Sequence, residues 1–203
     1  MMKAFLFAAI ALASASVFAG NADDSLRGDA DAGKAKSGAC AGCHGMDGNS
    51  AIPMNPNLAG LGERYIADQL AAFKRGKRKN PIMQGMVASL SQQDMLDLGA
   101  YYSHLPPKVG AANPDLVDQG RRLYRGGRVE DGIPSCMGCH GPAGKGNPAA
   151  GYPALSGQHA QYTGAQLKAF RNGQRIHNSM NAIAHRMTDQ DIDSLAGYIQ
   201  GLY

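Results

Sequence analysis

Two stretches of the chain carry residues whose types and order suit one specific chemistry: Cys40-Ala41-Gly42-Cys43-His44 and Cys136-Met137-Gly138-Cys139-His140. Two thiols three residues apart can add to the two vinyl groups of one porphyrin, and the His that follows is then placed to bind its iron. This C-x-x-C-H spacing is the attachment signature of c-type haem. A zinc site would pair the two motifs through four ligands. Each motif, however, carries its own His, and the two lie 96 residues apart in similar surroundings. A thioredoxin-like disulfide would need a strand ahead of the motif, and no run there alternates as a strand does. The sequence therefore predicts two haem c groups, attached through Cys40 and Cys43 and through Cys136 and Cys139. His44 and His140 are the first axial ligands of the two irons.

What each iron does then depends on its opposite face. An open sixth position permits peroxide or gas chemistry, whereas a filled one leaves electron transfer. The downstream candidates are Met83, Met86 and His104 in the first half, and His177, Met180, His185 and Met187 in the second. A ligand should recur at equivalent places of two similar halves. Met83 and Met180 do so, each eight residues before a capping hydroxyl, Ser91 or Thr188, on the loop leading into the last helix. Met86 matches Ile183 and Met187 matches Leu90, pairings that leave these methionines to the bland role of filling the core. His104 matches Gly201 and reads as a surface or structural residue, and His159 as a helix cap or a neighbour of a haem propionate. The second ring nitrogen of each proximal His needs an acceptor, and the carbonyls of Pro56 and Pro153 are placed to offer one. Tyr65 and Tyr162 either contact haem or its propionates or pack as aromatics.

The elements that must position these groups come in two copies. Leu58-Ala59-Gly60 matches Leu155-Ser156-Gly157, and Tyr65, Leu70, Phe73, Gly76 and Arg78 recur 97 residues later as Tyr162, Leu167, Phe170, Gly173 and Arg175. The match continues from Asp94, Leu98 and Tyr101 to Asp191, Leu195 and Tyr198. Helical periodicity runs over Asp31 to Ala39 and Pro114 to Leu123 before the motifs, and over Glu63 to Lys74 and His159 to Arg171 after them. Ser91-Gln92-Gln93-Asp94 and Thr188-Asp189-Gln190-Asp191 are capping signals that start a last helix in each copy. An insertion from Tyr124 to Pro134 lengthens the second copy and reads as a loop. The fold class is all-α: two homologous small cytochrome domains in tandem, each wrapped around a porphyrin, residues 20–105 and 114–203, joined by a Pro-rich linker at 106–113.

Composition supports a cofactor-filled interior. Of the 184 residues after position 19, only 28 are Leu, Ile, Val or Phe, about 15% and below the range in which a chain folds on its own core. The apo chain should be poorly folded, with a porphyrin supplying the missing apolar bulk. Residues 1–19, with Lys3, an apolar run from Ala4 to Ala13 and the close Val17-Phe18-Ala19, have the layout of a secretory signal peptide. The run is too short to span a membrane. The formal net charge of +4 falls to about zero once four haem propionates are counted with the irons, and nothing interleaves aromatics with cations, so nucleic acid is excluded as a partner. Lys74-Arg75-Gly76-Lys77-Arg78-Lys79 places five cations in six residues, either a solvated face or a patch that steers an acidic partner or anionic lipid.

From Gly28 to Tyr203 the chain resembles the cytochrome c4 family of dihaem class I c-type cytochromes of bacterial periplasms. The resemblance rests on the Cys-x-x-Cys-His-Gly motif with Asp47-Gly48-Asn49, Leu58-Ala59-Gly60 through Glu63-Arg64-Tyr65, the Met83-Gln84-Gly85-Met86 segment, Leu123-Tyr124-Arg125-Gly126-Gly127, and Tyr152-Pro153 through Tyr162. The segment before the second Met, Ile176-His177-Asn178-Ser179, is shorter and richer in His than the family pattern. By resemblance, Met83 and Met180 match the family's axial methionines, and the two domains pack through a polar contact with their haems close together. The resemblance implies a periplasmic, non-enzymatic electron carrier, soluble or peripherally attached to the inner membrane, that takes electrons from a quinol-oxidising complex and passes them to a cytochrome oxidase. Two other readings stay open: the dihaem electron-accepting subunit of a dehydrogenase such as a flavoprotein sulfide oxidiser, and a haem peroxidase with one displaceable ligand.

Overall fold

The computed structural model describes residues 27–203, so the signal-peptide expectation for 1–19 lies outside the described residues. Among the described residues, ten α-helices and two 3₁₀ turns carry all the regular structure and no strand occurs. The first half contains α1 (Ala30–Lys36), α2 (Gly38–His44), α3 (Glu63–Lys74), α4 (Pro81–Val87) and α5 (Gln92–Ser103). The second contains α6 (Val117–Gly126), α7 (Met137–His140), α8 (Ala160–Arg171), α9 (Asn178–Ala184) and α10 (Asp189–Gln200).

The last helix of each half is its organising element. Both start with a complete capping box: the Ser91 and Thr188 hydroxyls accept from the Asp94 and Asp191 amides, whose carboxylates accept from the cap amides in return. α1 and α3 pack on α5, and α6 and α8 pack on α10. The α1–α5 crossing is closed by Gly33, where a Cβ would lie 2.0 Å from the Asp97 carbonyl oxygen, and the α6–α10 crossing by Gly120, 2.2 Å from that of Ser194. These glycines are matched in the repeat, and any side chain there would push the helix pair apart.

One core is built on Leu61, Ile66, Leu98 and Tyr102, the other on Leu123, Tyr124, Ile133, Leu167, Met187, Ile192, Leu195, Tyr198, Ile199 and Leu202. Cys40 borders the first and Cys136 the second, so each core continues directly into its motif. Met187 is core, as its repeat partner implied, whereas Met86 lies on the exposed outer side of α4.

Several expectations need correction. Helix 31–39 is two helices, because the chain breaks at Ser37, which closes α1 and caps α2. The helix expected from Pro114 begins at Val117, after a turn in which Asn113 accepts the Leu116 and Val117 amides. The expected linker at 106–113 is not among these corrections; Pro106 and Lys108 bond the Asn49 side chain there, and Gly110 and Ala111 bond Gln200. The insertion is not only a loop. It extends α6 to Gly126, adds the 3₁₀ turn Val129–Asp131, buries Ile133 completely and delivers Arg128 to Asp191.

The Arg128 guanidinium donates two parallel bonds to the Asp191 carboxylate, at 2.8 and 2.9 Å, and also pairs with Asp131. Bidentate pairs of this kind are the strong ones. The Arg128 bonds, helped by Thr188, hold the Asp191 carboxyl down to about 2 against the opposing effect of burial. In the first half Lys36 serves instead, with Nζ 3.0 Å from Asp94 and 2.8 Å from Asp97. A carboxyl whose pKa is lower in the folded state stabilises the fold while it is ionised in both states, above its ordinary 3.8, and that contribution is lost as pH falls toward 2. The holoprotein should therefore lose stability between about pH 4 and pH 2. Arg128→Gln should lower stability at neutral pH and weaken the acid dependence, measured by denaturant titration followed by circular dichroism at several pH values.

Candidate haem sites

Each C-x-x-C-H motif ends a helix. In α2, Cys40 and Cys43 are three residues apart, a spacing that places both thiols on one side of a helix with His44 at its last position. α7 is a single turn in which His140 donates its amide to the Cys136 carbonyl at 2.9 Å. Gly45 and Gly141 follow with φ of 81° and 80°, a left-handed backbone that lets the chain leave the helix abruptly. Both imidazoles are buried.

The orientation of each imidazole is fixed by one bond. His44 Nδ1 lies 2.9 Å from the Pro56 carbonyl oxygen and His140 Nδ1 2.9 Å from that of Pro153, the two acceptors predicted from the repeat. A carbonyl can only accept, so Nδ1 carries the proton and Nε2 keeps a lone pair for a metal. Burial pushes both imidazoles below their ordinary pKa, against the pull of the proline carbonyls, which keeps the rings neutral. The loop carrying Pro56 is held by Ser50, whose hydroxyl donates to Cys43 O at 2.7 Å and whose amide donates to Asn57 Oδ1 at 2.8 Å.

Met83 and Met180 are brought to matching places, but on short helices rather than on a loop. Asn80 accepts the Met83 amide at 3.0 Å as N-cap of α4, and His177 Nδ1 accepts the Met180 amide at 3.3 Å as N-cap of α9. The His-rich segment before Met180 is thereby explained, since His177 holds the Met180 backbone where Asn80 holds that of Met83. Both methionines are half-buried. His185 is exposed at the end of α9, and His104 Nδ1 bonds the Ala100 carbonyl at 2.7 Å in a structural role.

The residues present fit a haem attached at each motif. All four cysteines are unbridged. Burial pushes the Cys40 thiol up and the Cys136 thiol up to about 11, the opposite of the acidic thiolate that disulfide exchange requires. Among the described residues no group of three or more His, Cys, Asp or Glu gathers into a metal cluster. The Tyr102 hydroxyl, packed in the core that Cys40 borders, is buried without a partner, as is Thr163 Oγ1.

Between the halves lies a polar interface that sequence reading resolved only in outline. Asn57 and Gln158 form a reciprocal pair: Asn57 N to Gln158 Oε1 at 2.9 Å and Gln158 Nε2 to Asn57 O at 2.9 Å, with Asn57 Nδ2 on Gly157 O at 3.0 Å. His159 makes no capping bond; its Nε2 reaches the Ser50 carbonyl at 2.8 Å, across the interface. Arg78 and Arg175 also cross, each to the other half's tyrosine. Nothing in periodicity marks Asn57 or Gln158, which have no counterparts in the repeat. Arg78 and Arg175 are a matched pair of the repeat, although in sequence Arg78 sits inside a cationic run.

A family model described as cytochrome c matches residues 30–106 and 117–203, one match for each half. Cytochrome c4 of Azotobacter vinelandii is 48% identical over 189 residues, covering 87% of this chain and 90% of that protein. This chain belongs to the cytochrome c4 family. The crystal structure of reduced recombinant cytochrome c4 from Pseudomonas stutzeri superimposes with a TM-score of 0.84 at 46% identity, over 87% of this chain and all of that one. A thiosulfate dehydrogenase electron acceptor of Stutzerimonas stutzeri strain A1501 is 41% identical over 167 residues, 79% of this chain and 77% of its own length. As in the cytochrome c4 family, each half is a cytochrome c domain binding one haem c, and the chain is a dihaem electron-transfer protein.

The Gln158 side chain clamps the Asn57 backbone, so Gln158→Ala leaves a buried N–H and a buried C=O of Asn57 unpaired and should cost the holoprotein about 2 kcal/mol. Asn57→Ala keeps those two backbone bonds and removes instead the side-chain bonds to the Ser50 amide and the Gly157 carbonyl, a separate loss that should also destabilise the holoprotein. Denaturant titrations of the two single variants measure both costs.

Proposed function

We propose that the chain is a periplasmic electron carrier in which His44 and Met83 hold one iron and His140 and Met180 the other, with Cys40, Cys43, Cys136 and Cys139 as the thioether attachments. The observation that carries this is the matched pair of buried imidazoles, each with Nδ1 committed to a proline carbonyl and Nε2 left free. Each half adds a methionine at the same position of a short capped helix. Haem c bound in this way supplies a one-electron Fe(II)/Fe(III) couple, with a potential raised by Met relative to bis-His ligation. The residues of the chain keep the ligand set the same in both redox states and leave no coordination position for a substrate, so the protein carries electrons without catalysing a reaction of its own. In this reading residues 1–19 direct export and are removed, the domains span 20–105 and 114–203, and 106–113 links them. Among the described residues no helix is long and apolar enough to cross a membrane, so attachment to the inner membrane would be peripheral.

The far-red charge-transfer absorption of methionine-ligated ferric haem tests the ligand set. Met83→Ala and Met180→Ala should each remove the contribution of one haem and the double variant both, while Met86→Leu and Met187→Leu leave the band intact.

Partners are redox proteins of the periplasm or its membrane face, such as a quinol-oxidising complex as donor and a cytochrome oxidase as acceptor. The 41% identity to an electron acceptor of thiosulfate dehydrogenase supports a second reading, the accepting subunit of a periplasmic dehydrogenase. Copurification with a catalytic subunit, flavin-containing or otherwise, would decide for it. The cationic run supplies fewer free charges than its composition suggests. Arg78 is committed to Gln69, Tyr162 and Gln166, and Lys74 bonds the Leu90 carbonyl. Arg75, Lys77 and Lys79 stay exposed just ahead of α4, and their counterparts in the second half are the uncharged Asn172, Gln174 and Ile176. An acidic partner would thus be drawn to the first domain. Arg75→Glu, Lys77→Glu and Lys79→Glu combined should slow electron exchange with an acidic partner on the order of tenfold at low ionic strength and flatten its salt dependence, followed by stopped-flow absorbance.

A further inference from the structure

Among the described residues of the first half, the Tyr102 hydroxyl is the one buried side-chain oxygen without a hydrogen-bond partner. Tyr102 is only 2% exposed, so bulk water does not serve it either. A buried hydroxyl left unpaired gives up its hydration and receives nothing in return. The residue is held from several sides: Tyr101 lies beside it with ring centroids 5.0 Å apart, and a Cβ on Gly48 would stand 3.1 Å from its Cδ1. Its own carbonyl accepts the Gly60 and Leu105 amides at 3.0 and 3.2 Å. The ring has little room to swing its hydroxyl outward.

The polar atom that the hydroxyl faces is the Cys40 sulfur, which borders the same core. Burial pushes both the Tyr102 phenol and the Cys40 thiol up, with Cys40 adding to the rise at Tyr102 and the Tyr102 hydroxyl opposing it at Cys40. The phenol therefore keeps its proton. A free thiol has a hydrogen of its own, but a sulfur joined to a porphyrin side chain has lone pairs and no hydrogen, so it can only accept. Attachment of the haem thus fixes the direction of the bond, with the phenol as donor.

The second half has no such group. The repeat puts Ile199 at the position of Tyr102. A tyrosine from a different helix, Tyr124, stands near Cys136, but its hydroxyl donates to the Gly141 carbonyl at 2.7 Å and has no hydrogen left for the sulfur.

We propose that Tyr102 donates a hydrogen bond to the Cys40 thioether sulfur and thereby raises the reduction potential of the first haem alone. The inference rests on the attachment of a haem at Cys40 and not on the methionine ligands. The hydrogen end of the O–H dipole points toward the haem and disfavours the additional positive charge of the ferric state, one of the ways in which a protein tunes a haem from outside its axial ligands.

Spectroelectrochemical titration of the holoprotein tests this. Tyr102→Phe keeps the ring and removes only the oxygen. It should lower one of the two couples, raising the oxidised-to-reduced ratio of that haem about threefold at a fixed applied potential, equivalent to about 28 mV for one electron, and leave the other couple in place. Tyr101→Phe, which takes a hydroxyl from the adjoining ring, should move neither. Denaturant titration of the Tyr102→Phe holoprotein should give a lower midpoint, because a bond is lost; removal of an unpaired hydroxyl would give a higher one. Two unmoved couples, equal falls in both, a matching fall in Tyr101→Phe or a raised midpoint would each overturn the proposal. The pyridine haemochrome spectrum of the parent protein reports the number of thioether bonds on each haem. Two doubly attached haems with unmoved potentials would refute the role of Tyr102 alone, whereas a haem lacking the Cys40 bond would refute the attachment and the proposal with it.

Discussion

An imidazole offers a lone pair to a metal from one nitrogen only when the other holds the proton, and in each half of this protein that proton is given to a proline carbonyl. Much of the surrounding structure serves those two bonds. The motif helix brings the His to its end, a glycine in left-handed backbone frees the chain to turn away, and the loop that returns with the proline is fastened by short side chains such as Ser50 and Asn57. In the first half the fastening extends across the interface, because Asn57, next to Pro56, is clamped by Gln158 of the other domain. The orientation of one domain's histidine is thus linked to the docking of the second domain.

The shortage of large apolar residues has its counterpart in how the cores are built. The first domain gathers only four buried residues into its principal cluster, and one of them, Tyr102, brings a hydroxyl with no partner. The second has a larger cluster, to which the insertion contributes Ile133 and the motif contributes Cys136 at its edge. In both, helices converge on the cysteines, so the apolar surface of a bound porphyrin completes the interior. The two domains use the same plan with different margins, and the acidic residue that caps the last helix is held by a flexible lysine in one and by a forked arginine in the other.

Much of this was legible because duplication supplies an internal control. A lone Met or Tyr is ambiguous, but position 83 against 180 and position 65 against 162 separate what recurs from what does not. Helix 63–74 and both capping boxes were readable from periodicity and a hydroxyl–acid spacing, and the proline acceptors from their equal distance ahead of a matched Leu. What was not legible depends on geometry without a local signal. The short helices that carry Met83 and Met180 are too brief for periodicity to separate from loop, and His177 looks like a ligand until its ring is seen to cap a helix. Arg78 reads as one more charge in a basic run because nothing near it in sequence reveals that two of its partners, Tyr162 and Gln166, lie more than eighty residues away.

Each half carries one Arg, one Tyr and one Gln of the crossed cluster, and these three form a complete self-complementary set. The contact is isologous: what residue 78 does to 162 and 166, residue 175 does to 65 and 69. Two separate copies of such a domain would make this contact only at a concentration set by their affinity. With the halves on one chain, and the connecting residues tied to both, the encounter becomes intramolecular and its effective concentration no longer depends on how much protein is present. Pairing of the two redox centres therefore survives any dilution, a property that a dimer of identical single-haem units lacks.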